Sequence, residues 1–223
     1  MKAKALIFDS SSIITLALNN MLSLLVSLKR RFRGRFFITY AVKQEVIDKP
    51  LNIKRFELEA LMISNMLKNK ILELPPVDMD KETEDIFERA NHIFKADDEW
   101  IKITHTGEAS CLALYNLLRD KGYDVTIVID ERTMRMLCEN PHNLHKLLEK
   151  KLHRQITMKE ENLSSFKDFN IIRSTELYFV AYKKNLINLP VPPDKAIDAL
   201  FYAAKYKGCS ISAAEIEQAK ELV

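Results

Sequence analysis

The sequence predicts an α/β fold in which a short central parallel sheet lies between two layers of helix. Three observations predict it. Residues 125–129 form a continuous β-branched run, the composition of a strand covered on both faces. Short apolar runs alternate along the chain with segments of helical period, the pattern of strands joined by crossover helices. Only 4 Gly and 7 Pro occur in 223 residues, too few turn-formers for an all-β sandwich.

Residues 5–8 are apolar and end at Asp9, and Ser10, Ser11 and Ser12 offer N-caps for a helix from about Ile13. Phe36, Phe37, Ile38 and Thr39 form a second β-prone run, and Ala41, Val42 and Val46 continue it at helical spacing. Phe56, Leu58, Leu61, Met62, Met66 and Leu67 describe an amphipathic helix leading to a third short strand at 71–74, closed by Pro75 and Pro76. Ile86, Ala90, Ile93 and Phe94 recur at helical intervals between residues 80 and 95. Residues 108–121 read as a strong helix stopped by Gly122, directly before the 125–129 strand and its terminal Asp130. A short helix from Arg132, a basic helix around Leu144, Leu147, Leu148 and Leu152, a strand at Ile171 and Ile172, and three C-terminal helices complete the pattern. Length and continuity favour one domain over residues 1–223.

Hydrophobic residues make up 47% of the chain and charged residues 29%, too apolar for a disordered chain. The net charge of +3 permits a nucleic-acid partner without requiring one. Cys111, Cys138 and Cys209 are widely spaced and odd in number, which argues against a disulfide framework or structural zinc and fits a reducing cytoplasm. Residues 11–28 are apolar, but Asn19, Asn20, Ser23 and Ser27 interrupt them. A helix packed on the sheet, rather than a membrane span, is expected.

Sites of open α/β sheets lie beyond the carboxyl ends of the strands, where this chain has Asp9 and Asp130. Glu45 and Glu108, on neighbouring helices, can reach the same edge. Two carboxylates about 4 Å apart repel by roughly 4 kcal/mol at an effective dielectric near 20, so a cluster of four suits Mg²⁺ or Mn²⁺, which take hard oxygen ligands and bind phosphates. With 31 acids in the chain, any one of these alone reads as a solvated cap; the ordered set carries the argument.

Four segments carry a resemblance: Leu6-Ile7-Phe8-Asp9-Ser10-Ser11, Ile38-Thr39-Tyr40-Ala41-Val42-Lys43-Gln44-Glu45, Thr106-Gly107-Glu108-Ala109 and Val128-Ile129-Asp130-Glu131-Arg132. In this order they resemble the PIN-domain family of metal-dependent ribonucleases, in its prokaryotic and archaeal single-domain form. The ending, with Gly208, Ile211 and Ser212 before a last helix, is similar too. The resemblance implies a PIN-like α/β/α fold and a Mg²⁺- or Mn²⁺-dependent endoribonuclease, a hydrolase leaving 5′-phosphate and 3′-hydroxyl ends. It makes Asp9, Glu45, Glu108 and Asp130 the catalytic metal-binding acids, with Ser11 in support and Glu131 as a fifth acid. Compact members are shorter, so the helical material near 51–70 and 142–159 is expected to be inserted, and a simple toxin does not account for it.

For RNA contact the sequence offers Lys29, Arg30, Arg31, Arg33 and Arg35, interleaved with Phe32 and Phe36, since cations track phosphates and aromatic rings stack on unpaired bases. The basic helix after His142 is a second candidate, although its leucine stripe also suits a homodimer or another protein partner. A competing class is a PIN-like RNA- or protein-binding module with little turnover, acting in a larger assembly. The presence of all four acids favours the enzyme, because a scaffold has no use for a self-repelling cluster.

Overall fold

The computed structural model describes residues 2–77, 79–187 and 189–222. The chain runs β1 (Lys4–Phe8), α1 (Ser10–Leu18), α2 (Leu22–Phe32), β2 (Arg35–Phe37) and α3 (Tyr40–Lys43), which passes without a break into a π-helical turn, Gln44–Asp48. After α4 (Glu57–Lys68) and α5 (Asp80–Asn91) come the short strands β3 (Phe94–Ala96) and β4 (Glu99–Trp100). Then follow α6 (Thr106–Asp120), β5 (Asp124–Val128), α7 (Arg132–Glu139), α8 (Pro141–Leu152), β6 (Ile156–Met158) and β7 (Ile171–Ile172). Helices α9 (Ser174–Lys183), α10 (Pro193–Tyr206) and α11 (Ala213–Glu221) end the chain.

The main sheet has the order β2-β1-β5-β7 with every pairing parallel, and flanking helices make it an α/β/α arrangement. In β1, Ala5, Leu6, Ile7 and Phe8 are all buried, so side chains pointing to both faces are covered, as a parallel sheet requires. The chain leaves β1 for β2 on one side and returns to β5 on the other. The crevice beyond the carboxyl ends of β1 and β5 is therefore a topological switch point, the usual place for a site in such sheets. One contiguous apolar cluster extends from Ile7 and Phe8 through Leu112 and Ile127 to Phe201 and Ile216.

Local departures from the sequence pattern have local causes. Helix α1 starts at Ser10 rather than near Ile13, because Asp9 itself caps it, its side chain accepting from the Ser11 N–H. The apolar stretch 11–28 is two helices bent by 118°, broken where Asn19 caps α1 and Asn20 takes a left-handed conformation. Among the described residues, no single helix is long and apolar enough to cross a membrane. The third strand expected at 71–74 is reduced to one parallel bridge between Phe37 and Glu73. Ile93 and Phe94, at helical spacing in the sequence, instead lead into and begin β3, part of a small antiparallel sheet ordered β4-β3-β6. Helix α8 packs on that sheet through Leu144 and Leu148, so much of its leucine stripe is spent inside the molecule.

Candidate acidic site

Asp9 follows β1 directly, and its N–H extends the ladder to Val128 O at 3.0 Å. Its side chain is buried, with Oδ2 accepting from Ser11 Oγ at 2.6 Å and from Ser11 N at 3.0 Å, while Oδ1 is buried without a hydrogen-bond partner. Burial, and then the Glu108 charge, push its pKa from 3.8 to about 7 against the hydrogen bonds from Ser11. Ser11 Oγ also accepts from the Asp130 N–H at 3.0 Å, so one hydroxyl ties the end of β1 to the end of β5.

Glu108 lies in the first turn of α6, with Oε2 accepting from the His105 N–H and from Thr104 Oγ1. Burial raises its pKa, and the Glu131 and Glu45 charges raise it further. The segment that delivers it is fixed by Asn91, a buried residue at the end of α5 whose Oδ1 accepts from Ile103 N at 2.8 Å and Thr104 N at 3.0 Å. Glu45 sits in the π-helical turn after α3, an irregularity often found at functional sites. Its carboxylate lies against Gly107, where an added Cβ would come within 3.0 Å of both oxygens. Helices α3 and α6 are joined behind it by the Thr39 and Ser110 hydroxyls at 2.6 Å, with Ser110 Oγ donating to Gly107 O. An apolar groove of about 340 Å³ opens beside Glu45, walled by Ile14, Leu18, Val46, Phe56 and Ile63.

Gly107 therefore has a positional reason that helix propensity does not supply. Gly107→Ala should leave thermal stability level or slightly higher, since Ala is favoured over Gly in a helix by about 0.5–1 kcal/mol. It should displace the Glu45 carboxylate by a few tenths of an ångström. A melting curve beside a crystal structure of the variant checks both parts.

Asp130 is placed differently from the other three acids. It is fully buried, with Oδ1 accepting from Ser174 N and Oδ2 from Ser174 Oγ, both at 2.7 Å, and its backbone oxygen accepting from Ser210 N at 3.0 Å. It holds the start of α9 and the 209–210 loop to the end of β5. Burial, followed by the Asp130 charge, pushes the nearby Cys209 thiol up to about 12. Its neighbour Glu131 caps α7 through Oε2, which accepts from Met134 N at 2.8 Å, and acts electrostatically on Glu108. Asp9, Glu45, Glu108 and Glu131 are thus linked by mutual repulsion, while both Asp130 oxygens are engaged by Ser174. Ser174, Asn91 and Ser110 carry no sequence signature, since isolated small polar residues form no pattern.

The basic segment does not join this site. Arg35 begins β2 and pairs with Ala5 near the start of β1, about four residues or roughly 13 Å along the strand from Asp9. Lys29 and Arg35 are turned onto Glu73, at 2.9 and 2.7 Å, and lie against the rings of Phe36 and Phe37. Arg30, Arg31 and Arg33 are exposed at that opposite end of the sheet.

Among the described residues, no three His, Cys, Asp or Glu side chains stand close enough together to hold a metal ion as they are placed. The donor chemistry nevertheless fits a hard divalent cation: the oxygens are carboxylates, they repel one another, and Asp9 Oδ1 is buried with no other partner. In comparisons with known proteins, no protein-family model, curated protein or solved structure matches this chain.

Proposed function

We propose that the chain is a PIN-like, Mg²⁺- or Mn²⁺-dependent endoribonuclease acting on single-stranded RNA in the cytoplasm. The observation that carries the reading is Asp9: a buried carboxylate with one unpartnered oxygen, at the switch point of a parallel sheet and within the field of Glu108. Burying such a group costs free energy unless something pairs with it. The order of the four sequence segments and the free state of Cys111, Cys138 and Cys209 support the family and the compartment.

In this reading Asp9, Glu45 and Glu108 hold the cation, and Glu131 in place of Asp130 completes the acidic set. A bound divalent cation supplies charge that offsets the carboxylates and acidifies a water to make it nucleophilic. Ser11 keeps Asp9 Oδ2 occupied, which leaves Oδ1 as its ligand atom. Glu108 Oε2 is held by the His105 N–H and Thr104 Oγ1, which fixes the carboxylate where it would face the cation. The water oxygen would bond to phosphorus as the bond from phosphorus to the 3′-oxygen breaks, and that oxygen would take up the proton lost by the water, giving a 5′-phosphate and a 3′-hydroxyl.

Product chemistry tests this. End-labelled single-stranded RNA incubated with protein and Mn²⁺ should yield fragments with 5′-phosphates. Fragments ending in 2′,3′-cyclic phosphate would overturn the reading, because they arise from attack by the RNA's own 2′-hydroxyl. The binding-module alternative is favoured by one observation, the lack of three metal-ligating side chains already gathered among the described residues; bound but uncut RNA would support it.

A further inference from the structure

The lobe formed by β3, β4, β6 and α8 carries the one tryptophan of the chain. Trp100 lies on β4, a strand that pairs with β3 and forms one edge of its sheet, and it remains 42% exposed. Its ring is met edge-on by His92 at 5.1 Å, and the Lys95 ammonium sits 5.7 Å from it. Trp100 forms part of a cleft of about 390 Å³, lined also by Ala96, Glu99, Ile101, Leu152 and Arg154.

Glu99 and Arg154 give the cleft lining one charge of each sign, and further cations come from α8. Leu144 and Leu148 of α8 face the interior, which leaves Lys146, Lys150 and Lys151 in solvent, the last two within four residues of Arg154 in the chain. The hairpin acids Asp97 and Asp98 pair with Arg154 and Lys95, at 3.3 and 3.4 Å. Both pairs are exposed, and such pairs are weak enough for a phosphate to displace. The lobe is also joined to the acidic site: His105, whose N–H bonds Glu108, is five residue steps after Trp100, so at most about 18 Å of chain lies between them.

We propose that this cleft binds an unpaired nucleobase of a single-stranded RNA, stacked on Trp100, with the flanking phosphates on Lys150, Lys151 and Arg154. An aromatic platform beside cations is what sequence-tolerant single-strand binding uses. The proposal takes its ligand from the ribonuclease reading but rests on residues outside the acidic site.

The sole tryptophan makes the test direct. With EDTA present to withhold divalent cations, titrating a short oligouridylate should quench tryptophan emission saturably, whereas duplex RNA should not. Trp100→Ala should weaken binding of a dye-labelled oligouridylate by about 5- to 100-fold, the span expected for one stacked base. Trp100→Phe should restore most of it, and Arg154→Ala should reduce the salt dependence of binding. Unchanged emission at saturating RNA, or equal binding by Trp100→Ala, would overturn the proposal, as would no binding or equal quenching by duplex, leaving a protein-docking face to explore. Cleavage by the wild type with Mn²⁺, scored separately, distinguishes the two readings: cutting without quenching removes the stacking cleft alone, and quenching without cutting removes the nuclease alone.

Discussion

Replacing Asp9 with Asn should abolish cleavage, by at least about a thousandfold, and at the same time stabilise the cation-free protein at neutral pH. The carboxylate is fully buried with Oδ1 unpartnered, and burial with the Glu108 charge lifts its pKa to about 7. Folded Asp9 thus holds its proton up to about pH 7, while the unfolded chain releases it near 3.8. Between those values the folded state binds more protons, so stability falls as pH rises through the window, and the penalty is complete above it. Asn carries no charge and can still cap α1 by accepting from Ser11 N. The variant's advantage should be absent below pH 3.8, grow across the window and reach about 1–3 kcal/mol above pH 7, several degrees in melting temperature for a chain this long. Saturating Mn²⁺ should reverse the order by stabilising the wild type alone, by about 2.7 kcal/mol at a hundred times Kd. Melting curves at pH 4 and pH 8, with EDTA and with Mn²⁺, check this. A variant less stable than wild type in EDTA at pH 8 would contradict it.

The second large effect belongs to Asp130, and it separates the family resemblance from the geometry. Asp130→Ala removes both acceptors of Ser174 and leaves its buried N–H and hydroxyl unpaired. That should cost about 2–4 kcal/mol and lower activity only in proportion to the unfolded fraction. Asp130→Asn keeps an acceptor for Ser174 N and presents an amide that can donate to Ser174 Oγ. It should lose about 1 kcal/mol and retain cleavage within about tenfold. The resemblance implies the opposite for Asn, a stable protein without activity. Denaturant unfolding and cleavage rates of the two variants decide between an anchor and a metal ligand.

The central architecture is legible in the sequence because it is written in long patterns. The β-branched run at 125–129 gives the central strand β5, and the apolar spacing from Cys111 to Leu118 gives α6, each within one or two residues. The small sheet is illegible because its strands are two or three residues long, shorter than any alternation that periodicity can register. The π-helical turn at Glu45 has no sequence signature either. Asp9 and Glu108 stand out because strand ends and helix starts are visible, yet whether a carboxylate at such a position faces a crevice or a buried serine depends on tertiary contacts. That is why Asp130 and Glu131, adjacent in sequence, have different surroundings in the fold.

Cleavage of end-labelled single-stranded RNA by wild type and Glu108→Gln, each with Mn²⁺ and with EDTA, tests the central claim most directly. Gln keeps the hydrogen bond to the His105 N–H that starts α6, so the variant should fold normally and differ in charge alone. Cutting by the wild type with Mn²⁺, lost in EDTA and lost in Glu108→Gln, is the predicted result. Cutting that persists in EDTA, or that Glu108→Gln retains at the wild-type rate, would contradict a carboxylate-held cation as the source of the activity.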